Sequence, residues 1–272
     1  ALHPAQNGTA DKPIRFVNFP KERPHLRNHL SYPETGYWHP LIGATKREWI
    51  IWKGFDLSAE DSTAKVRFYA SKHCTLEDCK IEGKAIPAKK RRLTNYSAIS
   101  IGTSSDFITI KNCLIRGVHG TDGVNGAGIK LYSGYHTTVE NCTFLENDYG
   151  IHGKNDGRHN VYKRNFIRSN AKGIELGAMA GGPPSQDIEV SNNIILLTGA
   201  SGIGINIISS LPNSVNAVHR FRCYNNVINP NGSIGINFNS AFYQQYYNNI
   251  IINSSVAMRH VGDKGNIAYS DY

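Results

Sequence analysis

Three ionisable side chains occupy the same place in a short repeated motif. Lys130, His152 and Glu175 each follow a Gly-Ile pair, and they lie 22 and 23 residues apart. Lysine, histidine and glutamate are side chains that enzymes use as general bases and acids. If the repeats stack on one another, these three side chains come together. The chemistry that they then predict is proton abstraction and proton donation.

The motif that carries them recurs along the chain. A small residue, an Ile, a variable residue and an apolar residue appear in eight copies, whose leading apolar positions are 66, 99, 129, 151, 174, 203, 236 and 258. Both this motif and a second, Asn-containing motif alternate apolar with polar residues, which predicts short strands. Units of about 22 residues that cannot bury an apolar face alone predict the coils of a parallel β-solenoid.

The second motif predicts ladders at one turn of each coil. Asn tolerates a left-handed backbone, and its amide can bond the neighbouring coil. We expect such a ladder at Asn112, Asn141, Asn192, Asn225 and Asn248. The next position holds Cys79, Cys113 and Cys142 and continues with Asn165, Asn193, Asn226 and Asn249. We expect these thiols to pack as small apolar groups, since buried free Cys behaves so.

Stacked coils turn the repeat into columns of side chains. Because successive residues of a strand face opposite sides, an inward Ile129 predicts an outward Lys130, with His152 and Glu175 beside it. The next outward column is expected to hold Tyr132, Lys154 and Gly177. The first column is expected to continue through Arg67 and Ser100 on one side and through Gly204, Asn237 and Arg259 on the other, with Asn206 and Asn239 alongside. A groove with a reactive centre and flanking subsites is predicted.

Composition limits the class of protein and the partner. The 272 residues carry 30 Lys and Arg against 21 Asp and Glu, a net charge of +9, and 40% are hydrophobic. That balance excludes a disordered chain, and 26 Gly with 2 Met argue against helix bundles. The charge favours an acidic partner. We expect an anionic polysaccharide rather than nucleic acid, no membrane partner since no apolar run is long enough, and a monomer.

The repeated motifs resemble those of right-handed parallel β-helix proteins of the pectate-lyase-like type, over about residues 47–272. The resemblance implies an all-β, single-stranded right-handed parallel β-helix of about eight to ten coils. We expect one domain over residues 1–272, in which residues 1–46 form an irregular first-coil segment. Asn7-Gly8-Thr9 and the following residues resemble the first coil of secreted polysaccharide lyases. We therefore expect a secreted, extracellular or periplasmic protein whose two ends are clipped.

The reactive column resembles that of the alginate lyase and chondroitinase B family. Lys130 matches the lysine base of that family, whereas its arginine falls near residues 151–154, where His152 or Lys154 would substitute. The resemblance implies β-elimination on a uronic-acid polysaccharide. Lys130 is the expected base, its pKa lowered by the charge of His152 and Lys154. Tyr132 or His152 is the expected acid.

The same family implies a calcium ion and several carboxylates to hold it. The candidate ligands here are Asp122, Asn125 and Glu175, and Glu175 is alternatively a residue that positions substrate. Calcium prefers six to eight oxygen ligands, so this set predicts at most a weak site.

Three other functions remain open from the sequence. A glycoside hydrolase requires two carboxylates, for which Glu175 with Asp156 or Asp148 are candidates. A uronate epimerase would abstract the same proton and return one to the opposite face. A non-catalytic glycan-binding module of the tailspike or adhesin type would not need the three central residues together.

Overall fold

A computed structural model describes residues 2–28, 40–59, 64–83, 96–120, 126–178, 184–209, 218–239 and 242–261. Within these ranges every element is a β-strand, and strands pair in parallel from coil to coil. The chain is an all-β right-handed parallel β-helix, as predicted, and its first sheet counts nine strands, one for each coil. No helix in the described part of the chain is long and apolar enough to cross a membrane.

The first sheet forms one side of the solenoid. Its strands, in spatial order, are β1 (Ile14–Val17), β4 (Ile50–Lys53), β7 (Thr75–Glu77), β10 (Thr109–Lys111), β13 (Thr138–Glu140), β15 (Val161–Lys163), β17 (Gln186–Ser191), β20 (His219–Tyr224) and β23 (Phe242–Tyr247).

The other two sides are joined into one sheet, because β14 (Thr143–Lys154) and β16 (Phe166–Ala178) run through both. The second face adds β2 (His25–Asn28), β5 (Asp56–Ala59), β8 (Lys80–Glu82), β11 (Leu114–Arg116), β18 (Ile194–Leu197), β21 (Val227–Asn229) and β24 (Ile250–Ile251). The third face adds β3 (Ile42–Thr45), β6 (Val66–Tyr69), β9 (Ser97–Ile101), β12 (Ala127–Tyr132), β19 (Ile203–Ser209), β22 (Ile234–Asn239) and β25 (Val256–Val261).

The N-terminal segment is more regular than expected. Residues 1–46 contain β1, β2 and β3, which pair with β4, β5 and β6 and so make a first coil. Residues 29–39 of this segment lie outside the described residues.

One turn of the coil supplies the polar ladder, displaced by one residue from the expected place. Asn112, Asn141, Asn192, Asn225 and Asn248 all have the left-handed backbone, with φ between 53° and 56°. The amide ladder runs through the next residue, where Nδ2 of Asn165 donates to Asn193 at 3.0 Å and Nδ2 of Asn193 donates to Asn226 at 2.9 Å. Each such bond contributes about 1 kcal/mol net, and a broken one costs more because these amides are buried. The five Cys are free and buried, as predicted.

A column of glycines shapes the third face. A Cβ at Gly128 would lie 2.6 Å from Cδ1 of Phe144, and one at Gly150 would lie 2.6 Å from Cγ2 of Ile167. These glycines therefore face the core, and so does the Ile that follows each of them. Two consecutive inward positions break the alternation. The residue before each glycine consequently faces outward, on the same side as Lys130.

Candidate functional site

Lys130, His152 and Glu175 stand in register on three consecutive coils. Lys130 pairs with His152, and His152 pairs with Glu175, across neighbouring strands of the third face. Neighbouring coils are about 4.8 Å apart, so the three side chains are adjacent, as the repeat predicts. The full column, in coil order, is Arg67, Ser100, Lys130, His152, Glu175, Asn206, Asn237 and Arg259.

One coil is shifted relative to the sequence expectation. Ile174 pairs with Ile205 rather than with Ile203, so Asn206 and not Gly204 continues the column after Glu175. Two Gly-Ile pairs follow each other here, Gly202-Ile203 and Gly204-Ile205, and the second pair is the one in register with Gly173-Ile174. The difference of two residues preserves the inward and outward alternation. The second column is as expected, since Tyr132 pairs with Lys154 and Lys154 with Gly177.

The central side chains are buried rather than solvent-facing. Lys130 is 1% exposed, His152 2% and Glu175 4%. Tyr149 and Lys172 precede inward glycines and therefore share this face: the Tyr149 ring lies 5.1 Å from the ring of His152. Strict alternation of inward and outward residues predicts that Tyr149 and Lys172 face the core, so the sequence pattern did not identify them as site residues. The Gly-Ile pair was the signal for them.

Three buried or half-buried lysines share two buried carboxylates. Lys172 forms an ion pair with Glu175, and Nδ2 of Asn206 donates to the same oxygen at 2.6 Å. The second carboxylate, Asp148, is fully buried. It accepts hydrogen bonds from Nδ1 of His119 at 2.9 Å, from the backbone N–H of Gly120 at 2.7 Å and from that of Gly126 at 3.0 Å. Among the described residues, the three lysines therefore exceed the two carboxylates by one positive charge.

This excess acts on Lys130. Burial and, next, the charge of Lys154 lower the pKa of Lys130 to about 7, although Glu175 and Asp148 oppose the shift. Burial likewise lowers the pKa of Lys154. At Lys172 burial pulls in the same direction, but the charge and hydrogen bond of Glu175 outweigh it and raise the pKa of Lys172. Among these three lysines, burial and neighbouring charge thus bring the pKa of Lys130 close to neutral pH.

His152 and Tyr132 are both neutral. Burial, followed by the charges of Lys154, Lys130 and Lys172, lowers the pKa of His152 to about 2. The lowered pKa does not support the expectation that His152 adds positive charge beside Lys130, while its predicted role as a proton donor stays a prediction. Its Nε2 lies 3.2 Å from Oε1 of Glu175, yet neither ring nitrogen has a hydrogen-bond partner in the described part of the chain. Burial raises the pKa of Tyr132, so its phenol keeps its proton.

A cavity of about 320 Å³ opens in front of Lys130 and Tyr132. We call it the lysine cavity. Arg67, Tyr69 and Ser100 line its other side, and the guanidinium of Arg67 lies 5.1 Å from the centre of the Tyr69 ring. Behind the cavity, Nζ of Lys154 lies 5.9 Å from the centre of the Tyr132 ring. A basic amine, a phenol donor and a guanidinium therefore converge on one space.

The predicted substrate-binding asparagines bond to each other. Nε of Arg259 donates to Oδ1 of Asn237 at 2.7 Å, and Nδ2 of Asn237 donates to Oδ1 of Asn206 at 2.7 Å. Asn206 then donates to Glu175. This chain of donors ends on the carboxylate, which favours a role in holding Glu175. Asn239 stands in the neighbouring column, paired with Val261.

Of the three predicted calcium ligands, Asp122 and Asn125 lie outside the described residues. The remaining ligand, Glu175, has the ammonium of Lys172 and the amide of Asn206 at its carboxylate, which does not fit a cation site. Among the described residues no group of three His, Cys, Asp or Glu is arranged to hold a metal ion.

Comparison with known sequences identifies the solenoid. Residues 62–271 match the family model described as "Right handed beta helix region". No curated protein sequence matches the chain.

Solved structures of several β-helix proteins superpose on most of the chain. An alginate lyase from Paenibacillus sp. has a TM-score of 0.69 at 11% identity, covering 96% of this chain and 86% of that one. A tailspike protein of E. coli bacteriophage HK620, in complex with a pentasaccharide, has a TM-score of 0.61 at 13% identity, covering 93% and 51%. The Streptococcus pneumoniae surface protein and adhesin PfbA has a TM-score of 0.53 at 12% identity, covering 85% and 67%. The chain spans about half the length of the tailspike, and at such identities the likeness concerns the fold.

Proposed function

This chain belongs to the right-handed β-helix family, and we propose that it is a polysaccharide lyase that cleaves a uronic-acid polysaccharide by β-elimination in the lysine cavity. One observation carries the proposal. Lys130 is a buried amine whose pKa lies near 7, and it faces a cavity that also holds a protonated phenol and a guanidinium. A base poised near the working pH is what abstraction of a carbon-bound proton requires.

Each group has a defined part in the proposed reaction. The neutral amine of Lys130 takes the proton on the carbon next to the sugar carboxylate. The electron pair left behind forms the C4–C5 double bond as the bond between C4 and the glycosidic oxygen breaks. The phenol of Tyr132 gives its proton to that departing oxygen. Lys130 ends as an ammonium ion and Tyr132 as a phenolate, and proton exchange with solvent restores both.

Positive charge stabilises the intermediate anion. Proton abstraction places negative charge on the substrate carboxylate, where fixed cations in a site of low dielectric act strongly. Arg67 lines the cavity and is the proposed partner of the carboxylate. Lys154 lies behind Tyr132 and lowers the pKa of Lys130. No step is assigned to a metal ion.

The surroundings of the acidic residues favour elimination over hydrolysis. Glu175 is occupied by Lys172 and Asn206. Asp156 accepts hydrogen bonds from the Tyr135 hydroxyl at 2.7 Å and from Nε of Arg158 at 2.6 Å. Asp148 accepts hydrogen bonds from His119, Gly120 and Gly126. None of these three carboxylates is among the described residues that line the lysine cavity, which favours elimination over a hydrolase's pair of carboxylates.

The proposal also concerns where the protein acts. A polymeric uronate is encountered outside the cell, so we infer an extracellular or periplasmic location. The alginate lyase among the structural neighbours makes alginate the first polymer to try.

The test is to incubate the protein with alginate, pectate, glucuronan and chondroitin and to follow the ultraviolet absorbance of the conjugated double bond. We expect absorbance to rise with one of these polymers. Lys130→Arg keeps a positive charge but does not deprotonate near neutral pH, so it should abolish the rise while leaving the fold intact. New reducing ends without absorbance would replace the lyase with a hydrolase. Neither signal with any polymer would refute catalysis on these substrates.

A further inference from the structure

A second cavity lies on a different side of the solenoid. It measures about 600 Å³ and opens on the outer surface of the first sheet, across the coils of β15, β17, β20 and β23. Cavities of about 300–1,000 Å³ are typical of ligand sites. The lysine cavity belongs to the third face, so the two openings point in different directions.

Two columns of outward side chains build this second cavity, which we call the tyrosine–arginine groove. Asp187, Arg220 and Tyr243 are the second residues of β17, β20 and β23, at the corner where the sheet begins, and all three have the left-handed backbone. Glu189, Arg222 and Gln245 lie beside them and pair in register across β17, β20 and β23.

The two arginines are held by carboxylates of the preceding coil. Nε and Nη2 of Arg220 donate to the two oxygens of Asp187 at 2.6 and 2.7 Å. Nη2 of Arg222 donates to Glu189 at 3.0 Å. The side chains of both arginines nevertheless remain 55% exposed. The bidentate pairing of Arg220 fixes the plane of its guanidinium, and the single bond of Arg222 to Glu189 restrains its side chain, so that less conformational entropy is lost when a ligand binds.

The charges of the groove cancel. Two guanidiniums face two carboxylates, so the local field gives no attraction for a polyanion as such, unlike a basic nucleic-acid surface. What remains is a floor of planar groups that both donate and accept hydrogen bonds. Hydroxyl-rich ligands match a floor of that kind, because each hydroxyl also donates and accepts.

Aromatic rings flank that floor. Tyr243, on one side, is 58% exposed. On the other side the rings of Tyr224 and Tyr247 stack with their centres 4.8 Å apart, and the Tyr224 hydroxyl donates to Glu189 at 2.8 Å. Aromatic rings offer large rigid contact area with a polar edge. Sugar rings present apolar C–H faces and hydroxyl edges, which is the complementary pattern.

We propose that the tyrosine–arginine groove binds a glycan segment without cleaving it. The four coils span about 14 Å, taken as three spacings of about 4.8 Å, which is the scale of a short oligosaccharide. Tyr243 supplies the ring against which a sugar packs, and Arg222 and Gln245 supply its hydrogen bonds. The proposal does not depend on the reaction at Lys130.

The test measures binding stoichiometry in a chain that does not turn over substrate. Lys130→Arg protein is titrated calorimetrically with hexasaccharides of alginate, polygalacturonate, glucuronan and chondroitin. We expect one site in the groove in addition to any site in the lysine cavity. Adding Tyr243→Ala should weaken the groove site about tenfold, which corresponds to the loss of one aromatic contact, whereas Tyr243→Phe should retain it.

A matched control comes from the same corner of another coil. Phe107 has the same left-handed backbone as Tyr243 and is 43% exposed, but it lies outside the groove. Phe107→Ala should leave binding unchanged. The proposal is overturned by equal loss in both alanine variants, by a single site that Tyr243→Ala does not affect, or by no binding of any of the four hexasaccharides. Because binding is read without turnover, failure of the lyase reaction would leave this result intact.

Discussion

Replacing Lys154 with Met tests whether Lys130 is the titrating base. The change keeps an unbranched apolar stem and removes one positive charge that lowers the pKa of Lys130. Without that charge the ammonium form of Lys130 is less disfavoured, so its pKa rises. A higher pH is then needed to obtain the neutral amine. We expect the acidic limb of the kcat/KM profile, near pH 7 in the unaltered protein, to move upward.

The size of the pKa shift follows from the distance between Lys154 and Lys130 in the sheet. Lys154 is one coil and two residues from Lys130. With coils about 4.8 Å apart and a rise of about 3.3 Å per residue, the diagonal is about 8 Å. At an effective dielectric of about 20, two unit charges at that distance interact by about 2 kcal/mol, and partial screening by solvent reduces it. The acidic limb is therefore expected to move upward by about one pH unit. Burial still lowers the pKa of Lys130, so the limb stays below the pKa of an ordinary lysine.

The assay measures the initial rate of double-bond formation from roughly pH 5.5 to 9.5, a range that includes the acidic limb before and after its expected shift. Lys163→Met is the matched control, because Lys163 lies on the first sheet, where it faces Glu140 at 3.6 Å. It should leave the limb in place. A limb that does not move in Lys154→Met, in protein of unchanged thermal stability, would show that Lys130 is not the group that titrates.

Three further outcomes are expected. Asn206→Leu removes the amide that donates to Glu175 at 2.6 Å. If Asn206 positions that carboxylate, kcat should fall with KM unchanged. A rise in KM alone would instead support the predicted role of Asn206 in binding substrate. Asn193→Ala should lower the free energy of unfolding in urea by about 3 kcal/mol, because it leaves buried partners on both neighbouring coils unpaired; a loss below about 1 kcal/mol would contradict the ladder's role. Gly150→Ala should destabilise the protein by about 1–3 kcal/mol, because the new Cβ would meet Ile167. Thermal unfolding measures this loss against Gly134→Ala, where the nearest atom to an added Cβ is 3.3 Å away. Equal melting temperatures of the two variants would contradict an inward Gly150.

The repeat predicted the solenoid and the central column because both follow from local periodicity. Alternation sets which side a residue faces, and the spacing between Lys130, His152 and Glu175 corresponds to one coil each. The pairing of Tyr132 with Lys154 on neighbouring strands follows from the same spacing. These features need no knowledge of what packs across the core.

The tertiary structure decided the chemistry of the column. Lys172 reaches Glu175 only because the glycine before Ile174 faces Ile195 of the second face and breaks the alternation. Asn206 enters the column because Gly204-Ile205, the second of two successive Gly-Ile pairs, is the one in register, a choice that the motif alone leaves open. The repeat predicted that the charge of Lys154 lowers the pKa of Lys130, but the largest cause of that shift is burial, which also lowers the pKa of His152. Desolvation and Coulomb interactions depend on three-dimensional surroundings. Residue types and spacing therefore predicted that Lys130, His152 and Glu175 meet, but not that His152 is neutral or that Lys172 and Asn206 bind Glu175.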